Sequence, residues 1–413
     1  MNKTNFGFLN LNKSNYKNAI FLYILQITLV ISNFITIYFI SNNYSPEIYA
    51  VYTTNKSLAV IFAIIGSMGI SFVSIKLLTI SKVNDSEIIS SSIKIQFKYI
   101  CLSLIILISF VLFFEFDYFF AIGFFLTYVM IEFRNILYSF YHAKSNFSYT
   151  SVVGIVSVIV FTVGCALIAI NNYPIIYIVI FQLLVVFISN IFVLKKLDNN
   201  LIKSSTVDSK RKVENESKKM VLTSASLIVI SEIEIVFLSF FTQGKLLGLL
   251  SLTRRLLEIG SQTFSSLLDI AYPKLTKNIK NLKTINRYVY LISLLLFVIP
   301  IVLFLDFSFV QIIFEYFVGE EFVEILRFLP GAFLSLPFMF RVRANIIIAR
   351  SLYIEKKISF YILISSFLIL IFYLVNYRLE VVGYEFIFLF SQIVYWFFTE
   401  LSIYKEKKSI YLS

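Results

Sequence analysis

The chain has 413 residues, 59% of them hydrophobic and 15% charged, with a mean hydropathy of +0.85. A water-soluble domain carries roughly a quarter charged residues, so an ordinary soluble enzyme is excluded and lipid is the expected solvent. Cys101, Cys165 and the single His142 allow neither a disulfide framework nor a His-based metal site, and a Ser-His-Asp triad would have to use that one histidine.

A membrane span needs about 20 mostly apolar residues. In chain order the apolar runs are 19–41, 48–72, 99–114, 118–141, 149–170, 174–194, 220–242, 246–270, 288–307, 327–349, 359–377 and 383–404. The first is too long for a signal-peptide core and lacks a small-residue cleavage site, so it counts as a span. The third is short, with Glu115 and Asp117 marking its outer end.

The gaps test the orientation. Starting from a cytoplasmic N-terminus, the inner gaps collect most of the lysines and arginines, from Lys3, Lys13 and Lys17 through Lys76, Lys82, Lys94 and Lys98 to Lys405, Lys407 and Lys408. Of the bases only Lys56, Lys245, Arg327 and Arg378 fall on or near the outer side, where the acids Glu47, Asp306, Glu315, Glu320, Glu321 and Glu324 gather. The alternation persists to the C-terminus, so an even number of spans and two cytoplasmic termini are expected. The net charge of +12 then reflects topology, and nucleic acid is not an expected partner.

The longest polar stretch, 195–219, divides the chain into a six-span lobe at 1–197, a cytoplasmic linker at 198–218 and a second six-span lobe at 219–413. A shift of 198 residues lays 50–58 on 248–256, bringing Lys56 onto Arg254, and lays Lys76 on Lys274. Because each lobe has six spans, an even number, the lobes share their orientation, so the repeat is expected to be parallel, with a pseudo-two-fold axis along the membrane normal.

Charge inside a span usually faces a cavity or a partner. The seventh run holds Glu232 and Glu234, and the eighth holds Arg254, Arg255 and Glu258. These groups, with Lys56 of the second run, lie at similar depth, roughly 12–15 Å from the outer helix ends. Arg254 and Glu258 share a helix face, and Arg255 points about 100° away. Two arrangements fit: the charges neutralise one another and fix helix packing, or surplus positive charge lines a central cavity that receives an anionic group. The second is taken forward, because the planar guanidinium fork suits phosphate. Arg134 in the fourth run, near Glu132, and Arg341 and Arg343 in the tenth are candidates for a cytoplasmic vestibule or for snorkelling at the interface. His142 is expected at the interface, and the acidic stretch 315–324 in an outer loop.

Several stretches carry a family resemblance. They are the acid-bearing Ile230-Ser231-Glu232-Ile233-Glu234, the turn Leu247-Gly248-Leu249-Leu250-Ser251, Ala271-Tyr272-Pro273-Lys274-Leu275 and Val318-Gly319-Glu320-Glu321-Phe322. In order and spacing they resemble the polysaccharide-exporter branch of the multidrug/oligosaccharidyl-lipid/polysaccharide superfamily, the Wzx-type repeat-unit flippases. The chain departs from that pattern with Glu where Asp is frequent and with Leu250 where Tyr is frequent. The resemblance implies an all-α integral membrane protein of about twelve helices, in two six-helix bundles around a central cavity. It implies flipping of undecaprenyl-diphosphate-linked oligosaccharide repeat units to the outer leaflet of a bacterial inner membrane, for O-antigen or capsule assembly. Lys56, Arg254 and Arg255 would receive the diphosphate, and Glu232, Glu234 and Glu258 are the candidates for coupling to H⁺ or Na⁺. No cofactor and no enzyme activity are expected. Membrane lipids and other polysaccharide-assembly membrane proteins are the remaining expected partners. A cation-coupled drug antiporter of the same fold is the nearest alternative, and a membrane polysaccharide polymerase or ligase a further one.

Overall fold

The computed structural model describes residues 13–80, 84–144, 147–197, 205–277, 282–305, 307–351, 355–379 and 383–412. The helices are α1 (Lys13–Asn43), α2 (Pro46–Ser67), α3 (Ile70–Ile80), α4 (Asp85–Phe113), α5 (Tyr118–Ala143), α6 (Phe147–Ile170) and α7 (Ile176–Lys196) in the first half. The second half holds α8 (Val207–Phe241), α9 (Gly244–Lys277), α10 (Leu282–Leu305), α11 (Phe307–Val318), α12 (Leu329–Ser351), α13 (Glu355–Leu379) and α14 (Ile387–Leu412). Among the described residues nine spans are long and apolar enough to cross a bilayer. The all-α, multi-pass architecture with about twelve membrane helices is as the sequence predicts.

Burial sorts the helices. In the α2–α3 span 67% of the most apolar window is buried, and in α12 72%, against 11% in α1. Helices α2 and α12 therefore form the interior of the two bundles, while α1 keeps most of its surface for lipid. Helix α2 packs on α4 and α5 of its own half and crosses to α8 and α9 of the other; α12 packs on α9, α10 and α14. The bundles thus meet along α2, α8 and α9.

The second run, expected as one span, is broken. Met68 (φ 51°) and Gly69 (φ 64°) are both left-handed, and the Met68 N–H closes α2 on the carbonyls of Ile64 and Ile65. Gly69 adopts this backbone without a Cβ penalty, and α3 restarts in a new direction. The third run is longer than its apolar part: α4 starts at Asp85, capped by the Asn84 side chain. Its first turns carry Ser90, Ser91, Ser92 and Gln96, polar in sequence yet buried.

These polar turns meet the other departure. Residues 207–218, expected as linker, are the first turns of α8, opened by a Thr206–Ser209 capping box. They dock on α3 and α4 through Lys76–Glu216 at 2.9 Å, Lys98–Glu214 at 3.5 Å and the Tyr99 hydroxyl donating to Glu214 at 2.6 Å. The hydroxyls of Ser91 and Ser209 also bond at 2.6 Å. Among the described residues this end carries Lys76, Lys94, Lys98, Lys144 and Lys218 and is the basic face.

The opposite, acidic face is closed by the two halves. A Cβ added to Gly248 would lie 2.0 Å from the Pro46 carbonyl oxygen, so only glycine lets α9 approach the start of α2 this closely. The Asn42 amide donates to the Phe317 carbonyl at 3.0 Å. The stretch 315–324, expected as a loop, is the end of α11 and the start of a 3-10 helix, Glu320–Arg327. Its Phe322 is fully buried and meets Tyr49 edge-on.

Candidate functional site

Behind the closed acidic face lies a cavity of about 250 Å³ walled by α1, α2, α5, α8 and α9. Helix α2 supplies Tyr49, Tyr52, Thr53 and Lys56, whose spacing of three, four and seven puts them on one helix face. Lys56 lies ten residues into α2, roughly 15 Å along its axis, and so near the middle of a hydrocarbon core about 30 Å thick. Asn33 and Thr36 of α1, Tyr128 of α5, Glu232 of α8 and Arg255 and Glu258 of α9 complete the polar wall.

Arg255 is the centre of the charge network. It donates to both Glu232 oxygens, at 2.8 and 3.1 Å, and to Glu258 at 2.7 Å. It also donates to the Ser57 hydroxyl at 3.1 Å, which in turn donates to Glu232 at 2.6 Å. Ser57 and Arg255 stand 198 residues apart, the repeat offset read from the sequence, so helices related by the repeat touch here across the two halves. Lys56 differs: its side chain reaches the cavity, and among the described residues its ammonium makes no hydrogen bond and no ion pair.

Arg254 does not line the cavity. It is 0% exposed, its Nε is ion-paired with Glu234 at 2.9 Å, and its Nη2 donates to the Ile230 carbonyl at 2.8 Å. Gln392 of α14 holds the other Glu234 oxygen at 3.0 Å. The pair is sealed between α8, α9, α12 and α14, out of reach of a ligand in the cavity. As the sequence predicts, Arg254 and Glu258 lie on one face, 4.0 Å apart, and Glu258 pairs more closely with Arg255 at 2.7 Å. Three bases and three acids make up the whole cluster, so its formal charge sums to zero. The cavity shows no surplus of positive charge; what it offers an anion is Lys56, the one cation of its lining with no hydrogen bond or ion pair among the described residues.

The vestibule residues are not gathered. Arg134 turns between α5 and α7, donates to Ser189 at 2.9 Å and stacks over Tyr138. Arg341 lies within the second half, 3.4 Å from Glu400 and 3.6 Å above the Tyr290 ring. Arg343, also on α12, is half-buried. Neither Arg134 nor Arg341 lines the central cavity. Sequence reasoning passed over Tyr49, Tyr52, Ser57 and Tyr128, because uncharged polar groups inside an apolar run give no periodic signal of their own. The one-face spacing of Tyr49, Tyr52, Thr53 and Lys56 was the available clue.

No protein-family model matches the chain, and no curated protein sequence matches it. Solved structures do. An inward-facing multidrug resistance MATE family transporter of the MOP superfamily superposes with a TM-score of 0.73 at 11% identity, over 94% of this chain and 98% of that one. The lipid II flippase MurJ in an inward closed conformation gives 0.68 at 17% identity, over 94% and 87%. An outward-facing MATE transporter gives 0.59 at 14% identity, over 96% of each chain. The chain has the fold of the MOP superfamily transporters.

Proposed function

We propose that the protein is a flippase that carries lipid-linked oligosaccharides, with undecaprenyl-diphosphate-linked repeat units as cargo, from the cytoplasmic to the outer leaflet of a bacterial inner membrane. On this reading the basic face is cytoplasmic, both termini are inside and the product feeds O-antigen or capsule assembly with other membrane proteins of that process. The single observation that carries it is the uncommitted Lys56 ammonium at mid-depth in a polar cavity between two bundles. Such a group recognises the diphosphate common to these lipids and needs no particular sugar. The cavity is smaller than the 300–1,000 Å³ usual for ligand sites, so it takes the diphosphate end first and widens as the bundles part on the basic face. The isoprenoid tail stays in lipid. Outward movement of negative charge from a negative interior is favourable by about 2.3 kcal/mol per charge per 100 mV, so the membrane potential assists.

Glu232 and Glu258 also line the cavity and favour a second reading, a cation-coupled drug antiporter. Proteoliposomes separate the two. Flipping of a fluorescent undecaprenyl-diphosphate-linked glycan is expected from the native chain and is lost in Lys56→Gln with unchanged melting. Equal flipping by Lys56→Gln removes Lys56 from the site. Absence of flipping with any such glycan, together with cation-driven efflux of organic cations, makes the protein an antiporter with the two carboxylates as its site.

A further inference from the structure

A second cavity, about 400 Å³, lies nearer the basic face between α5 and the junction of α2 with α3. One wall is a stripe of α5: Glu132, Asn135, Tyr138 and His142. Their spacing of three, three and four keeps them on one helix face. The opposite wall includes Ser67 and Gly69, the residues flanking the left-handed break. The stripe covers roughly 15 Å, from His142 one residue before the end of α5 to Glu132. Tyr128, one turn further, already faces the central cavity. The two cavities are thus successive stations along one helix.

Glu132 is a carboxylate without a base. Its Oε1 accepts from the Asn135 amide at 3.1 Å, and among the described residues it forms no ion pair. The surrounding bases are committed elsewhere or turned away. On α5 itself, Arg134 points to Ser189 of α7 and Lys144 pairs with Asp85 of α4. Lys76 of α3 and Lys98 of α4 pair with Glu216 and Glu214, and Lys94 of α4 bonds Ser205. Lys56 of α2 faces the central cavity. From α6, Thr150 bonds His142 Nε2 at 3.2 Å and the Phe147 ring lies 4.8 Å from the imidazole, and Lys196 of α7 lies over Tyr149. The titratable groups sharing the cavity with Glu132 are Tyr138 and His142. Tyr138 is 9% exposed, and its hydroxyl has no hydrogen-bond partner.

We propose that Glu132 is a proton-binding site reached from the basic face through this cavity, and that its protonation sets the state of the α2–α3 junction. A half-buried carboxylate that faces no cation among the described residues is better accommodated neutral than one in open water. The Ser67 hydroxyl donates to the Ile64 carbonyl at 2.9 Å and stands beside the carboxyl group. An ionised carboxylate can draw that hydroxyl away as its own donor, whereas a protonated one leaves it on the Ile64 carbonyl. Gaining or losing one proton thus switches a contact on the last residue of α2, next to the break. Because α2 also carries Lys56, the switch reaches the helix that lines the central cavity. The cavity is many times the roughly 30 Å³ of one liquid water, with Tyr138 and His142 placed to bond water on the way in. The class of ligand is the proton: the polar atom aimed at Glu132 from α5 is an amide donor, which suits a carboxylate and repels a metal ion.

The test uses no cargo, so it stands or falls apart from the flippase reading. The full chain in lipid nanodiscs is followed by hydrogen exchange over residues 64–75 from acid to mildly alkaline pH, corrected for the intrinsic rate. A titration step in protection is expected in the native chain. It is lost in Glu132→Gln, which holds the acid-side level throughout, is restored in Glu132→Asp, and persists in His142→Gln. A flat profile in the native chain overturns the proposal. So does a step that survives Glu132→Gln, or one that vanishes only in His142→Gln.

Discussion

Replacing Arg254 with methionine separates a structural pair from a binding site. The substitution keeps much of the side-chain volume and removes the guanidinium. Glu234 is then left with the Gln392 amide at 3.0 Å and, among the described residues, no base beyond the more distant Arg255, and the Ile230 carbonyl loses its 2.8 Å donor. Both partners of the original pair have fully buried side chains. Removing one partner of such a pair costs about 3–5 kcal/mol, because the other charge is stranded in a medium that solvates it poorly. A melting point moves by roughly 2 °C per kcal/mol in a chain of several hundred residues, so detergent-solubilised Arg254→Met should melt about 6–10 °C lower. Adding Glu234→Gln removes the stranded charge and should recover most of the loss. Thermal unfolding and glycan flipping are measured on the same preparations. Native melting together with selective loss of flipping in Arg254→Met would refute the assignment and return Arg254 to the cargo site.

Other perturbations bear on the gates and on the second half. Gly248→Leu would drive a side chain into the Pro46 carbonyl, prising α9 from α2. A cysteine at Tyr49, 2% exposed in the native chain, should then react with an impermeant maleimide from the acidic side once Cys101 and Cys165 are replaced. On the basic face, the Tyr99 hydroxyl and then Lys218 hold the Glu214 carboxyl below its usual value. A lowered acid contributes above its unfolded value and ceases to contribute as pH falls through the folded one. Docking of the first turns of α8 should therefore be constant at neutral pH and loosen only at strongly acid pH, by no more than about 1 kcal/mol for so exposed a pair. Limited proteolysis at Lys210–Lys212 reads this, and Glu214→Gln abolishes the dependence. Arg341→Met removes a cation stacked on Tyr290 and should cost about 2 kcal/mol of stability with no loss specific to transport.

How much of this was legible follows from what a side chain reports about its surroundings. Runs such as 149–170 and 359–377 announce themselves because lipid-facing residues must be apolar all round. The break after α2 did not: it turns on the backbone of Met68 and Gly69, and Gly66 and Gly69 inside a long, mostly apolar run were the hint. The start of α4 was hidden for the opposite reason. Ser90, Ser91, Ser92 and Gln96 look like loop, yet they are buried because α8 brings equally polar turns to meet them. Polarity read from one segment cannot reveal a polar partner 118 residues away. In the site, helical pitch correctly sent Arg254 and Arg255 in different directions, but it could not say which direction held the cavity. That depends on which face of α9 meets α2 and which meets α12.

The charge balance of the cluster constrains how any cargo is recognised. Arg255 already satisfies Glu232 and Glu258, so an anion bound by Arg255 must displace a carboxylate, and each displaced carboxylate is then unpaired in a low-dielectric interior. Lys56 carries no such penalty, since its ammonium gives up no protein partner. On the proposed function, an incoming diphosphate would meet Lys56 first, and Arg255 only when the two halves move and Glu232, on α8, draws away from α9. Binding and movement would then be linked by this exchange, with cargo stabilising the state in which the α8–α9 pairing is loosened. The linkage is visible in a double-mutant cycle. If Lys56→Gln and Glu232→Gln change cargo affinity independently, with no interaction energy between them, then cargo does not use the two charges in succession and the exchange does not operate.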